Sequence, residues 1–180
     1  MLNKIYSKIF HRMIFKVRLS NYFMQFRKGN KKDIQGIRKV KVDTFSKFNS
    51  SESFKKGAVS KYLKRFKNKS DSELLASFEI NKDSILFVAV KNKKIMGYIK
   101  GTIDRIENLF ILGKFHNKGI GKKLVNLLEK ESIKNRRKEI KVDSSIYAIS
   151  FYQKLGFKKT TRIKRNKFDL KVQPMKKILN

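Results

Sequence analysis

Residues 115–130 read FHNKGIGKKLVNLLEK. Gly119 and Gly121 stand one residue apart, flanked by Lys118, Lys122 and Lys123, and Leu124, Leu127 and Leu128 then begin a helical stripe. Glycines leave the backbone open to close approach. The start of a helix offers unbonded N–H groups and the positive end of its dipole, and lysines add charge. Together these suit an anion such as a pyrophosphate. Two nucleotide loops fail on the residues themselves. A G-x-x-x-x-G-K-[ST] loop requires glycine where His116 stands and a hydroxyl where Lys123 stands. A G-x-G-x-x-G turn requires glycine where Leu124 stands.

The rest of the composition limits what other chemistry is available. There is no Cys and there are two His, which excludes disulfides, Cys-based zinc sites and a Cys nucleophile and leaves little to hold a metal. Any catalysis must rest on Tyr, acids, Ser or Thr, Lys, backbone groups or water. The chain has 180 residues, 40% of them apolar and 15 of them Phe, enough for one domain with a real core. Its charge is unusual. Lys and Arg number 46 against 14 acids, a net charge of +32, where a small soluble domain typically carries roughly 2–8 in magnitude. Such a surface is expected to attract nucleic acid, ribosomes or anionic membranes non-specifically.

The elements that would position the loop follow from pattern. Residues 1–23 contain no acid, and Leu2, Ile5, Tyr6, Ile9, Phe10, Met13, Ile14 and Val17 share one helical face. A basic amphipathic helix over residues 2–18 is expected, lying on an anionic membrane surface or packing on protein; alternatively, translation starts at Met24. The longest uncharged apolar run there is too short to span a bilayer, and no ordinary signal peptide is present. Residues 25–28 read as a first strand. Asn30 caps a helix carrying Ile34, Ile37, Val40, Val42 and Phe45. Further helices are expected over 52–66 and through SDSELLASF. Strands follow at 85–90, 95–103 and 106–112, then the glycine loop and its helix, and a strand at 139–143. A short helix within 145–157 ends at Gly156. Two last strands, 157–164 and 167–173, turn at Arg165-Asn166.

The loop HNKGIG, after a strand and before a helix, resembles the acetyl-CoA loop [RQ]-x-x-G-x-[GA] of the GNAT acetyltransferase superfamily, with His116 where Arg or Gln is usual. AISFYQKLGF, residues 148–157, resembles the A-x-x-x-Y-x-K-x-G-F signature of the same superfamily, about thirty residues on with a strand between. MQFRKGNKKDIQGIRKV and KFDLKVQPMKKIL resemble its first and last elements, so the likeness covers roughly 24–180 and leaves 1–23 as an extension. Asp143 stands where many relatives have Asn, and Gly113 where Pro or a polar residue is common.

The resemblance implies an α/β (α+β) fold, with a mixed, mostly antiparallel sheet of about six to seven strands and about four helices. It implies a cytoplasmic N-acetyltransferase that moves the acetyl group of acetyl-CoA directly to an amine and needs no metal. The coenzyme would bind at His116, Asn117, Lys118, Gly119, Ile120, Gly121, Lys122 and Lys123. A backbone N–H from Phe110, Ile111 or Leu112 would hold the thioester oxygen, and Tyr152 stands at the general-acid position. The amine must also lose a proton, and Glu107, Asp104 or water can take it. The alternative is a GNAT-like binding protein whose basic surface engages RNA, the ribosome or a membrane. Lys158, Lys159, Arg162, Lys164, Arg165 and Lys167 fall within ten residues of the final hairpin, which in relatives borders the acceptor side. They predict an acceptor that is not strongly cationic.

Overall fold

Asn30 separates the first strand from the first helix. Its side chain accepts from the Lys32 amide at 2.9 Å, and its own amide donates to Asp33 at 2.9 Å, a reciprocal cap. Helix α1 (Ile34–Phe48) follows a single 3-10 turn. The computed structural model describes residues 23–79 and 84–179. The expected helix over residues 2–18 lies outside the described residues.

Among the described residues one sheet holds eight strands: β1 (Gln25–Lys28), β2 (Ile85–Lys91), β3 (Lys94–Thr102), β4 (Arg105–Ile111), β5 (Glu139–Ser144), β6 (Lys158–Lys159), β7 (Lys164–Arg165) and β8 (Lys171–Ile178). Their order is β1-β2-β3-β4-β5-β8-β6, with β7 also pairing β8. Every pairing is antiparallel except β4 with β5. The helices among the described residues are α1, α2 (Ala58–Lys67), α3 (Asp71–Glu79), α4 (Ile120–Lys134) and α5 (Ile149–Lys154). This is the expected fold class with one strand and one helix more than expected.

The apolar run ILFVAV forms β2 because both faces of the sheet are covered. Phe87 and Ala89 pack with Leu124, Val125 and Leu128 of α4, while Val88 and Val90 pack with Ile37 and Val40 of α1. The β2–β3 turn falls on Asn92 and Lys93, both at positive φ, as a two-residue hairpin loop of the right twist requires. Gly101 sits at the bulge between β3 and β4, where a Cβ would lie 2.1 Å from the Arg105 carbonyl oxygen.

Several expectations change. The helix expected at 52–66 starts at Ala58, because Gly57 at φ +80° turns the chain there and Ser53 bridges to Leu170 instead. The strand expected at 157–164 divides into β6 and β7. Thr160 donates to the Pro174 carbonyl at 3.0 Å, but Pro174 has no N–H to return. The Gln173 side chain bonds Thr161 O at 2.6 Å in place of a ladder. The last strand runs over 171–178 rather than 167–173. Asn166 Oδ1 accepts from the Phe168 and Leu170 amides, which moves the turn onto residues 166–169, and β5 pairs β8 as far as Ile178.

Candidate active site

The parallel strands β4 and β5 pair only through Arg105↔Lys141 and Ile106↔Val142. Beyond Ile106, β4 runs on to Ile111 and β5 to Ser144 without a further pair, so a wedge opens between them. The wedge belongs to a cavity of about 1150 Å³ walled by Ile106–Ile111, Val142–Ser145, the start of α4, α5 and the inner sides of α1 and α2. A strand edge without a partner presents backbone donors and acceptors to whatever fills that space.

Alternation decides which groups those are. The Leu112 amide donates to the Met96 carbonyl at 2.9 Å. In an antiparallel ladder, amides of alternate residues point the same way, so Phe110, paired with Tyr98, also faces β3. Ile111 faces the wedge, and its carbonyl accepts from Thr44 Oγ1 at 3.2 Å and His116 Nε2 at 2.7 Å. Among Phe110, Ile111 and Leu112, the amide of Ile111 is the one turned toward the cavity. Leu112 does not line it.

A 3-10 turn (Gly113–Phe115) leads into the loop. Asn117 (φ 58°) and Gly119 (φ 75°) are left-handed, and α4 starts at Ile120. The Lys123 amide is bonded to Gly119 O at 3.0 Å, and no side chain caps this terminus. The amides of Ile120, Gly121 and Lys122 precede the first in-helix bond and remain open. The two glycines differ in role. A Cβ on Gly119 would meet nothing within 4 Å, whereas one on Gly121 would lie 3.0 Å from the Phe151 ring and 3.1 Å from Ile111 Cδ1. Gly119 supplies conformation and open space; Gly121 lets α4 pack close to β4 and α5. Asn117, Gly119, Ile120, Gly121 and Lys122 line the cavity. Lys118 lies over the Phe115 ring, and neither it nor Lys123 lines the cavity.

His116 is turned toward the protein. Its ring stacks near Phe48 at 4.7 Å, and Nδ1 lies 3.2 Å from the Tyr147 hydroxyl. Since a carbonyl only accepts, Nε2 carries the proton toward Ile111 and Nδ1 accepts from Tyr147. The ring therefore ties the end of β4 to the turn after β5. Glu52, which sequence reading passed over, reinforces that turn: buried, it accepts from the amides of Ile146 and Tyr147 and from Asn49 Nδ2.

Tyr152 is both core and wall. Its ring packs edge-on against Phe151 and Phe157, it is 4% exposed, and it lines the cavity. Burial pushes its phenol well above the usual tyrosine range, which keeps the O–H a donor. Glu107 lines the cavity and is held by Lys100 Nζ at 2.6 Å. Asp104 does not line it and bonds Thr102 at 2.7 Å. Asp143 lines the wedge and pairs with Arg105 at 3.1 Å. Of the hairpin cations, Lys167 reaches the cavity, and Lys158, Lys159, Arg162, Lys164 and Arg165 do not.

Lys41 was also missed. It lies on the buried face of α1, between Ile37 and Phe45 one turn to either side, and is 6% exposed. That placement, a lysine at i+4 from an apolar residue on both sides, was a signal available in the sequence. Its Nζ bonds Asn108 Oδ1 at 3.1 Å and lies 4.1 Å from the centroid of Phe66. Burial, then the charges of Lys100 and Lys69, lower its pKa to about 7.

Comparison with known proteins agrees with this architecture. Residues 37–179 match the family described as acetyltransferase (GNAT) domain. A GCN5-related N-acetyltransferase structure from Rhodopseudomonas palustris superposes with TM-score 0.72 at 16% identity, covering 87% of this chain and 96% of that one. The PaiA N-acetyltransferase of Thermoplasma acidophilum, solved with coenzyme A, gives 0.67 at 18% identity over 87% and 99% of the two chains. An aminoglycoside 6'-N-acetyltransferase, also complexed with coenzyme A, gives 0.62 at 16% identity over 87% and 98%. At these identities the structures speak for the fold. The family match spans most of the chain, and the protein belongs to the GNAT acetyltransferase family.

Proposed function

We propose that this protein transfers the acetyl group of acetyl-CoA to an amine. One observation carries the reading: the unpaired edge of β4, the uncapped start of α4 and the Tyr152 side chain line a single cavity. The residues present fit the coenzyme. The open amides of Ile120, Gly121 and Lys122, the empty space at Gly119 and the Lys122 ammonium suit a pyrophosphate. The free edge of β4 suits the amides of a pantetheine arm. When bound, acetyl-CoA supplies the activated acetyl thioester.

The chain's own groups then divide the work. The Ile111 amide faces the wedge and can donate to an acyl oxygen as charge gathers there. The Tyr152 O–H donates to the departing sulfur. Glu107 receives the proton of the amine, directly or through water, and Lys100 holds it in place. His116 and Glu52 position the two sides of the wedge.

The test is calorimetric titration of acetyl-CoA, followed by an acetyl-transfer assay across classes of amine. Tight binding with turnover on one class is expected. Failure to bind the coenzyme removes the reading. The charge of +32 supports a second reading, a binding protein for RNA, ribosome or anionic membrane. It predicts association that falls steeply with salt and persists in Tyr152→Phe. Among the described residues no helix is long and apolar enough to cross a membrane.

A further inference from the structure

The cavity extends beyond the wedge into a half lined by α1, the end of α2 and the start of β8. The charges there are unbalanced. Lys41 is buried, and among the described residues no carboxylate lies within ion-pair distance of its Nζ. Its hydrogen-bond partner is the neutral side chain of Asn108. The acids that line the cavity are already engaged. Glu107 is bonded to Lys100, Glu52 to backbone amides, and Asp143 to Arg105. Arg65 and Lys69 line the same half and enter no ion pair among the described residues. The remaining wall is aromatic: Tyr62, Phe66 and Phe110 face the Lys41 ammonium within 6 Å.

A buried ammonium with no ion-pair partner of its own is costly, and proteins normally pair it or suppress its charge. Here it borders open space, next to further cations. A ligand oxyanion in that space would accept from Lys41 and balance Arg65 and Lys69 at once. A ligand ammonium would meet like charge from all three. The aromatic wall leaves room for an apolar spacer between the two ends of an acceptor.

We propose that this half of the cavity is an oxyanion subsite, in which Lys41, assisted by Lys69 and Arg65, holds the carboxylate or phosphate of an acceptor whose amine points to the wedge. The inference rests on the acetyl-transfer reading and names its substrate class: amines that carry an anion.

The experiment uses the full chain and four matched amines: 4-aminobutyrate, aminoethyl phosphate, 4-aminobutyramide and 1,4-diaminobutane. The anionic pair should give at least about tenfold higher kcat/KM than the amide and the diamine, and the better of the two identifies the anion. Lys41→Met should remove most of that preference through KM, about tenfold or more for a lost charge-assisted hydrogen bond. Acetyl-CoA affinity should stay as in wild type. If Lys41→Met does not fold, Lys69→Glu serves, and should shift preference toward the diamine. An equal loss on all four amines would make Lys41 a proton acceptor or a packing residue and overturn the subsite. So would a diamine preferred by the wild-type protein. If acetyl-CoA fails to bind, the transfer reading falls separately. Titration of 4-aminobutyrate and aminoethyl phosphate into wild type and Lys41→Met still decides the subsite, which is lost if neither binds in a Lys41-dependent way.

Discussion

His116 Nε2 lies 2.7 Å from the carbonyl oxygen of Ile111, so the residue that opens the glycine loop is fastened to the end of the strand that walls the wedge. The same ring reaches Tyr147 on the opposite side. Replacing it with alanine should loosen the loop without unfolding the sheet. One or two hydrogen bonds contribute about 0.5–1.5 kcal/mol each. His116→Ala should therefore raise the KM for acetyl-CoA about three- to tenfold and lower Tm slightly. Steady-state kinetics with a parallel thermal melt checks this, and unchanged kinetics would leave the ring a packing group only.

The two glycines should separate in mutagenesis. Gly121→Ala forces a Cβ toward Phe151 and Ile111 and should destabilise the fold by about 1–3 kcal/mol, as overpacking does. Gly119→Asp meets open space and keeps a residue that tolerates left-handed backbone. It places a carboxylate beside the open amides of α4, so acetyl-CoA binding should fall sharply while stability falls by no more than the cost of left-handed backbone, about 1–2 kcal/mol. Calorimetry and denaturant melts on both variants distinguish packing from ligand contact.

Tyr152→Phe removes a hydroxyl that hydrogen-bonds no other described residue and leaves a ring that packs against Phe151 and Phe157. Stability should hold. Turnover should fall by about 10²–10⁴, the usual range for general acid–base groups, with acetyl-CoA affinity nearly unchanged. Wild-type turnover would return Tyr152 to the core alone.

Lys41 should make stability depend on pH in a defined window. Its folded pKa of about 7 lies below the unfolded value near ~10.4. Between these values the unfolded chain holds more protons, so rising pH favours the folded state. Below about 7 both states are protonated, and the cost of burying the charge is fully present. Lys100, Lys69, Glu107 and Tyr62 face this group. The stability of wild type relative to Lys41→Met should therefore rise from pH 7 to 10, at up to about 1.4 kcal/mol per pH unit. Urea melts of both proteins at pH 6, 7.5 and 9 measure it; a flat difference would mean that Lys41 stays charged throughout.

The sequence by itself determined the parts that near neighbours control. Asn30 as a cap, the strand at 85–90 and the order of strand, glycine loop and helix were all legible, because each depends on residues within a turn or two. The GNAT family was legible for the same reason, since its two motifs are local strings. Boundaries failed where a distant partner decided them. β8 ends at Ile178 because β5 pairs it that far, and the strand before it breaks where Pro174 cannot return a hydrogen bond.

The cleft itself was decided by the tertiary structure. It exists because β4 and β5 separate after Ile106 and Val142, which no local pattern records. Its walls come from residues far apart in the chain: Lys41 meets Asn108 across 67 positions, and Glu52 meets Tyr147 across 95. Side chains of one type are alike in a sequence, and only the fold assigns them surroundings. Five of the six hairpin cations do not line the cavity, and the buried cation in its wall stands on α1. The same holds for the acids, since Glu107 lines the cavity and Asp104 does not. Burial and neighbouring charge set what an ionisable group can do, and both arise when the chain closes on itself.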